Sequence, residues 1–167
     1  MQCSFGRDPP PRLDITSNGM RVSNLSFMTL LGVAITPSLS WGLHVEPDIS
    51  KANSRRYFLV VLQRAGVTPA HLVRYYITFV RPIPEYAAPV WHPGLTQRQA
   101  HQLETVQRLA LRTIHPALPY RLALLTTGLP RLADRRRQLC LTFAILAIKS
   151  LDFRHWFSLR RRDDHGR

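Results

Sequence analysis

Apolar and polar positions alternate in short stretches over the first 40 or so residues and then switch to a helical period. Leu13-Asp14-Ile15-Thr16 alternates, and Asn18-Gly19 behind it predicts a hairpin turn, since both residues tolerate positive φ. Residues 20–22 then form the return strand. Asp8-Pro9-Pro10-Pro11 upstream forces an extended connector, because proline fixes its own backbone and restricts its predecessor. Residues 27–35 (FMTLLGVAI) carry the strongest strand signal of the chain, with Gly32 at a bulge or close backbone approach and Pro37 as the stop.

From Trp41 onward the pattern is helical. Pro47-Asp48 reads as a helix start, and the segment up to Ala65 places Ile49, Ala52, Tyr57, Leu59, Val60 and Leu62 on one broad face, with Gly66 as the stop. Thr68-Pro69 opens the next helix, with the proline in the first turn, where its missing N–H does least harm. Leu72, Tyr75, Tyr76, Phe79 and Val80 face inward from it. Pro82 and Pro84 interrupt the pattern, and residues 85–93 resume as a short helix ending near Trp91. Thr96 and Gln99 form a capping box ahead of Leu103, Val106, Leu109, Ala110 and Ile114. Pro116 and Pro119 frame a loop, residues 120–127 form a short helix stopped by Gly128, and a last long helix runs to about Leu151. The fold class expected is α+β: a short β segment followed by a mostly helical body. Trp41 and Trp91 are expected to anchor the core.

Charge narrows the classes of partner. Lys plus Arg is 23 against 10 for Asp plus Glu, a formal charge of +13. That balance favours a polyanion, either nucleic acid or an anionic surface. Only Lys51 and Lys149 are lysines, so 23 minus 2 leaves 21 arginines. Arginine contacts phosphates bidentately and stacks on bases, and the same skew also fits GC-rich coding sequence. Two cysteines, Cys3 and Cys140, exclude a disulfide scaffold and a cysteine-ligated zinc site. The first residues lack an apolar signal-peptide core, and the longest apolar run, residues 139–148, is about half of the ~20 residues a spanning helix needs. That run is expected to be a buried helix, and the chain to be intracellular, nuclear or cytoplasmic, with no membrane partner.

Catalytic constellations are sparse. The seven histidines show no metal-ligand spacing, and there is no Gly-rich phosphate loop or nucleophile elbow. Asp163-Asp164 could clamp a metal in principle, but it follows Arg160-Arg161-Arg162 in a polar tail, where a solvated pair is the better reading. No cofactor, metal or small-molecule substrate is expected. The basic clusters carry more signal: Arg55, Arg56 and Arg64 on the first helix, Arg108 and Arg112 at i, i+4, and Arg135, Arg136 and Arg137 on the last. Each is compatible with a solvated helix face as well as with phosphate contact. Phe153-Arg154-His155-Trp156-Phe157 interleaves aromatics with cations and fits either base stacking or a hydrophobic helix-end plug.

Residues 30–45 (LLGVAITPSLSWGLHV), the block 51–116 and the blocks TGLPRLADRRRQLCL and FRHWF…HGR together resemble the region after the catalytic palm in reverse transcriptases of non-long-terminal-repeat retrotransposons. The order carries the resemblance: LGV, a tryptophan, a basic helix, R-P-x-x-E-Y-A-x-x-V-W at 81–91, then L-E-x-x-Q and L-x-x-R. It covers nearly the whole chain. It implies the last palm strands over 1–36, a thumb-like helical bundle over 37–116, a helical carboxyl-terminal extension over 117–152 and a basic tail over 153–167. Phe27, Leu31, Gly32 and Val33 match the hairpin that grips the primer strand in that family, with Leu31-Gly32 at its centre. The family's palm aspartates and its Tyr-x-Asp-Asp hairpin have no counterpart here, so the resemblance implies a truncated, non-catalytic fragment. Such a fragment would bind an RNA–DNA hybrid or other nucleic acid weakly and without sequence preference, through Arg55, Arg56, Arg64, Arg135, Arg136 and Arg137. A basic helical protein-interaction module is the alternative. Pro84 departs from the family pattern, where a helix-compatible apolar residue is usual, and that departure suggests a decaying element copy or relaxed selection. Met1 matches an internal methionine of the longer proteins, and this suggests a truncated reading frame.

Overall fold

The computed structural model describes residues 16–21, 25–153 and 155. Strands β1 (Thr16–Ser17) and β2 (Met20–Arg21) pair antiparallel around Asn18-Gly19, both at positive φ. Strands β3 (Met28–Leu30) and β4 (Val33–Ile35) make a second antiparallel hairpin, with Leu30 opposite Val33. The single strand expected over 27–35 is therefore folded back on itself. Leu31 and Gly32 occupy the turn at φ 48° and 80°, the positive values a two-residue primed turn requires. Glycine adopts that backbone freely, whereas a leucine does so at a cost of roughly 1–2 kcal/mol.

Six α-helices follow among the described residues: α1 (Gly42–Arg64), α2 (Pro69–Tyr75), α3 (Ala88–Trp91), α4 (Gln97–Ile114), α5 (Tyr120–Thr127) and α6 (Leu132–Lys149). The class is α+β, as expected. Helix α1 starts five residues ahead of the proline signal and carries Pro47 inside it. Helix α2 starts at Pro69 behind Thr68 and runs directly into a π-helical turn, Tyr76–Val80, closed by the Arg81 amide on the Tyr76 carbonyl at 2.9 Å. At α4 the Thr96 hydroxyl accepts the Gln99 amide at 3.2 Å, and the Gln99 side chain accepts the Thr96 amide at 2.9 Å. Gly128 closes α5 in the left-handed conformation.

The main core packs α1, α2, the π turn, α4 and α5 together through Ala52, Leu59, Leu72, Tyr76, Val80, Val106, Ala110, Leu111 and Ala123. A second cluster joins the β3–β4 hairpin to α1, α3 and α4 through Val33, Trp41, Val45, Ala88, Trp91 and Leu103. Both tryptophans are buried. Trp41 packs on Gly94 so closely that any Cβ there would collide with the indole. Tyr57 and Phe79, expected inside, lie on the surface. The apolar run 139–148 also departs from expectation: Leu141, Phe143, Ile145, Leu146 and Ile148 are exposed, because α6 packs through Leu132, Arg136 and Ala147 instead. Among the described residues no helix is long and apolar enough to cross a membrane.

Candidate nucleic-acid interface

Helix α1 carries Arg56, Val60, Gln63 and Arg64 at spacings that fall on one helical face. That face lies beside Leu109, Arg112 and Thr113 of α4, and the two helices bound an open groove of about 360 Å³. It is lined by the partly buried aliphatic side chains of Val60 and Leu109 and by three arginines, Arg56, Arg64 and Arg112. Arg56 is held on its own helix, its Nε donating to Asn53 Oδ1 at 3.3 Å. Among the described residues no carboxylate pairs with Arg56, Arg64 or Arg112. The segment 49–80 contains five Lys or Arg and no Asp or Glu. A cationic groove without internal counter-charges suits the evenly spaced phosphates of a nucleic-acid backbone.

The remaining arginines named from sequence are distributed differently. Arg55 is exposed on another side of α1, where its carbonyl accepts the Tyr75 hydroxyl at 3.3 Å. Arg137 is exposed, and Arg135 is partly buried with its Nε 3.5 Å from Glu85 Oε1. Arg136 is a correction to the expected phosphate-binding set. It is fully buried, its guanidinium carbon 5.9 Å from the centre of the Trp91 ring. The helical phase that turns Leu132 inward turns Arg136 inward one turn later. Burial lowers its pKa, opposed by the nearby Glu104 and Glu85 carboxylates, and its three side-chain nitrogens have no hydrogen-bond partner among the described residues. The cluster Arg135-Arg136-Arg137 is thus split among an ion pair, the core and the solvent.

Of the four hairpin residues, Phe27 and Leu31 are exposed, Gly32 forms the turn and Val33 is buried. The turn is held from 55 residues away: the Tyr86 hydroxyl donates to the Leu31 carbonyl at 2.6 Å, and its ring lies where a Cβ on Gly32 would touch it. Trp91 Nε1 donates in turn to the Tyr86 carbonyl at 2.8 Å. The 81–91 motif therefore ties the hairpin to the helical body.

A buried polar network escaped the sequence reading. Glu104 accepts the Tyr120 hydroxyl at 2.6 Å on one oxygen and the Ala133 amide at 2.9 Å on the other. It thereby places a carboxylate on the first turn of α6, where free amides and the helix dipole favour negative charge. Gln107 accepts the Tyr76 hydroxyl at 2.7 Å and donates to the Pro130 carbonyl at 2.8 Å. The Tyr120 hydroxyl is held protonated, its pKa raised by burial and by its bond to Glu104. The signal was available: Glu104 and Gln107 stand at i, i+3 within the apolar stripe of Leu103, Val106 and Ala110.

Among the described residues no cluster of three His, Cys, Asp or Glu side chains could hold a metal ion. Asp163-Asp164 and Arg160-Arg161-Arg162 lie outside the described residues, as do Arg154, Trp156 and Phe157. No protein-family model, curated protein or solved structure matches the chain.

Proposed function

We propose that this chain is a non-catalytic helical module that holds the backbone of a nucleic-acid duplex, an RNA–DNA hybrid first. It would correspond to the thumb-side end of a non-long-terminal-repeat reverse transcriptase. The observation that carries the reading is the groove between α1 and α4, where Arg56, Arg64 and Arg112 stand without carboxylate partners among the described residues. Binding of this kind is weak and indifferent to sequence, because phosphate contacts position a duplex without reading its bases. Catalysis is assigned to carboxylates outside this chain, since nucleotidyl transfer needs metals clamped by acidic residues. With primed RNA, magnesium and deoxynucleotides the chain should give no primer extension. Anisotropy titration of a labelled hybrid at rising salt tests the binding half: affinity should fall steeply, and salt-independent binding or none would refute the reading.

One observation favours a protein-interaction module instead. Leu141, Ile145 and Ile148 form an exposed apolar stripe at i, i+4, i+7 on α6. Apolar docking survives high salt and phosphate binding does not, so the same titration separates the two readings.

A further inference from the structure

A second cationic surface lies on a different side of α1 from the groove, and it carries aromatic rings. The π turn brings Phe79 onto Tyr75, with ring centres 4.9 Å apart and planes tilted by 32°. Tyr75 is partly buried against the main core, and its hydroxyl is fixed on the Arg55 carbonyl. Phe79 rides on that anchored ring and remains 47% exposed. On α1, Lys51, Arg55 and Phe58 follow at i, i+4, i+7, and all three are exposed. Phe58 is 55% exposed and makes an edge contact with Tyr57, itself exposed. Among the described residues, neither Lys51 nor Arg55 pairs with a carboxylate.

We infer that this face is a stacking platform for single-stranded nucleic acid, in which an unpaired base lies on Phe79 while Arg55 and Lys51 hold the flanking phosphates. Charge decides the occupant. The strip carries the half-exposed rings of Phe58 and Phe79 with the cations Lys51 and Arg55, and the segment 49–80 contains no acidic residue; its acidic neighbour is Asp48, one helical turn before Lys51, whose carboxyl feels the Lys51 charge. An apolar peptide would leave those cations uncompensated at its edge, whereas a single strand supplies a ring for the aromatics and an anion for each cation. An anchored ring with one open face loses little freedom when a base covers it. The inference goes beyond the duplex reading: it concerns bases rather than backbone alone, and it uses residues outside the groove.

The test compares two probes of equal charge on the full chain. One is a labelled oligothymidylate of about 12 nucleotides, and the other is an abasic sugar-phosphate chain of the same length. The wild-type chain should bind the base-bearing probe about tenfold more tightly. Phe79→Leu, which keeps apolar bulk without the ring, should abolish that preference and leave abasic binding unchanged. Phe79→Trp should keep it. Lys51→Ala with Arg55→Ala should weaken both probes alike and flatten the salt slope by about 1.4 units. Equal binding of the two probes by the wild-type chain would overturn the platform, as would a preference that survives Phe79→Leu or disappears in Phe79→Trp. Failure of the groove reading looks different: Arg56→Ala, Arg64→Ala and Arg112→Ala together would then leave duplex binding unchanged, whatever the ratio between the two single-stranded probes.

Discussion

Two arginine-rich regions of this molecule look alike in sequence and differ in what surrounds them. Between α1 and α4, Arg56, Arg64 and Arg112 line an open groove with no carboxylate partner among the described residues. At the start of α6, Arg131 and Arg135 meet Glu104 and Glu85, Arg81 also pairs with Glu85 at 3.2 Å, and Arg136 is enclosed. Two carboxylates and the helical phase turn the second region's charge inward, and their absence leaves the first region's charge outward. A run of arginines is therefore not evidence of an anion site until its phase and its counter-charges are known.

The largest effect should come from the inward region. Glu104→Ala removes the acceptor for Tyr120 and Ala133 and a compensating charge for the buried Arg136, so it should cost about 3–5 kcal/mol in a urea unfolding curve, with the exposed Arg131 adding little. A loss below 1 kcal/mol would mean that the network does not hold α6 in place. Next comes the outward region. The triple change Arg56→Ala, Arg64→Ala, Arg112→Ala should flatten the salt slope of hybrid binding by about 3 units, with stability within about 0.5 kcal/mol of the parent. A parallel slope would dissolve the contrast between the two regions.

Arg136→Met should separate them most cleanly. Replacing a buried, unbonded cation with an apolar side chain of similar length is expected to be neutral or to stabilise by about 1–4 kcal/mol. Hybrid affinity should not change, and a tenfold loss would place Arg136 back at a phosphate.

The smallest effect concerns pH. The imidazole of His92 titrates below its ordinary value because of burial first, then the charges of Arg136 and Arg137. Its contribution to stability is complete above the unfolded-chain pKa near 6.5 and is lost as pH falls from there toward the folded value. His92→Gln should shallow the decline of melting temperature over that interval. Arg136→Met should shallow it partly, since it removes one of the cations responsible.

What was readable from sequence was set by chemistry within a few residues. The Thr96–Gln99 capping box, the Thr68-Pro69 start and the Gly128 stop all appear where local rules place them. Features fixed by distant partners were not readable. Residues 27–35 are a nearly unbroken apolar run that reads locally as one strand, and only the family resemblance places a hairpin centre at Leu31-Gly32; the positive φ at Leu31 is sustained by the Tyr86 hydroxyl, which no local pattern announces. Proline usually marks a first helical turn, yet Pro47 lies within α1, whose preceding turn is pinned by burial of Trp41, His44 and Val45. The apolar run on α6 is long enough for a core helix, but Arg136 shares the inward face with Leu132 and Ala147, and of the run's leucines and isoleucines only Leu139 packs on the core, leaving Leu141, Ile145, Leu146 and Ile148 outside. Of the candidate interface, the residue types were legible and the grouping was not. Arg55 and Arg56 are neighbours in sequence, and only Arg56 lines the groove.

The hydrogen bond from Tyr86 to Leu31 also sets an order of events. The β3–β4 turn contains an unfavourable leucine, and its strands are three residues each. An isolated hairpin of that kind is marginal in water. Its support arrives only after a long loop has closed, and closure must precede the contacts that reward it. The helices should therefore assemble first, with the hairpin locking onto a finished body. In a hydrogen-exchange experiment the amides of β3 and β4 should gain protection last during refolding and lose it first in native-state opening, and Tyr86→Phe should widen that gap in time.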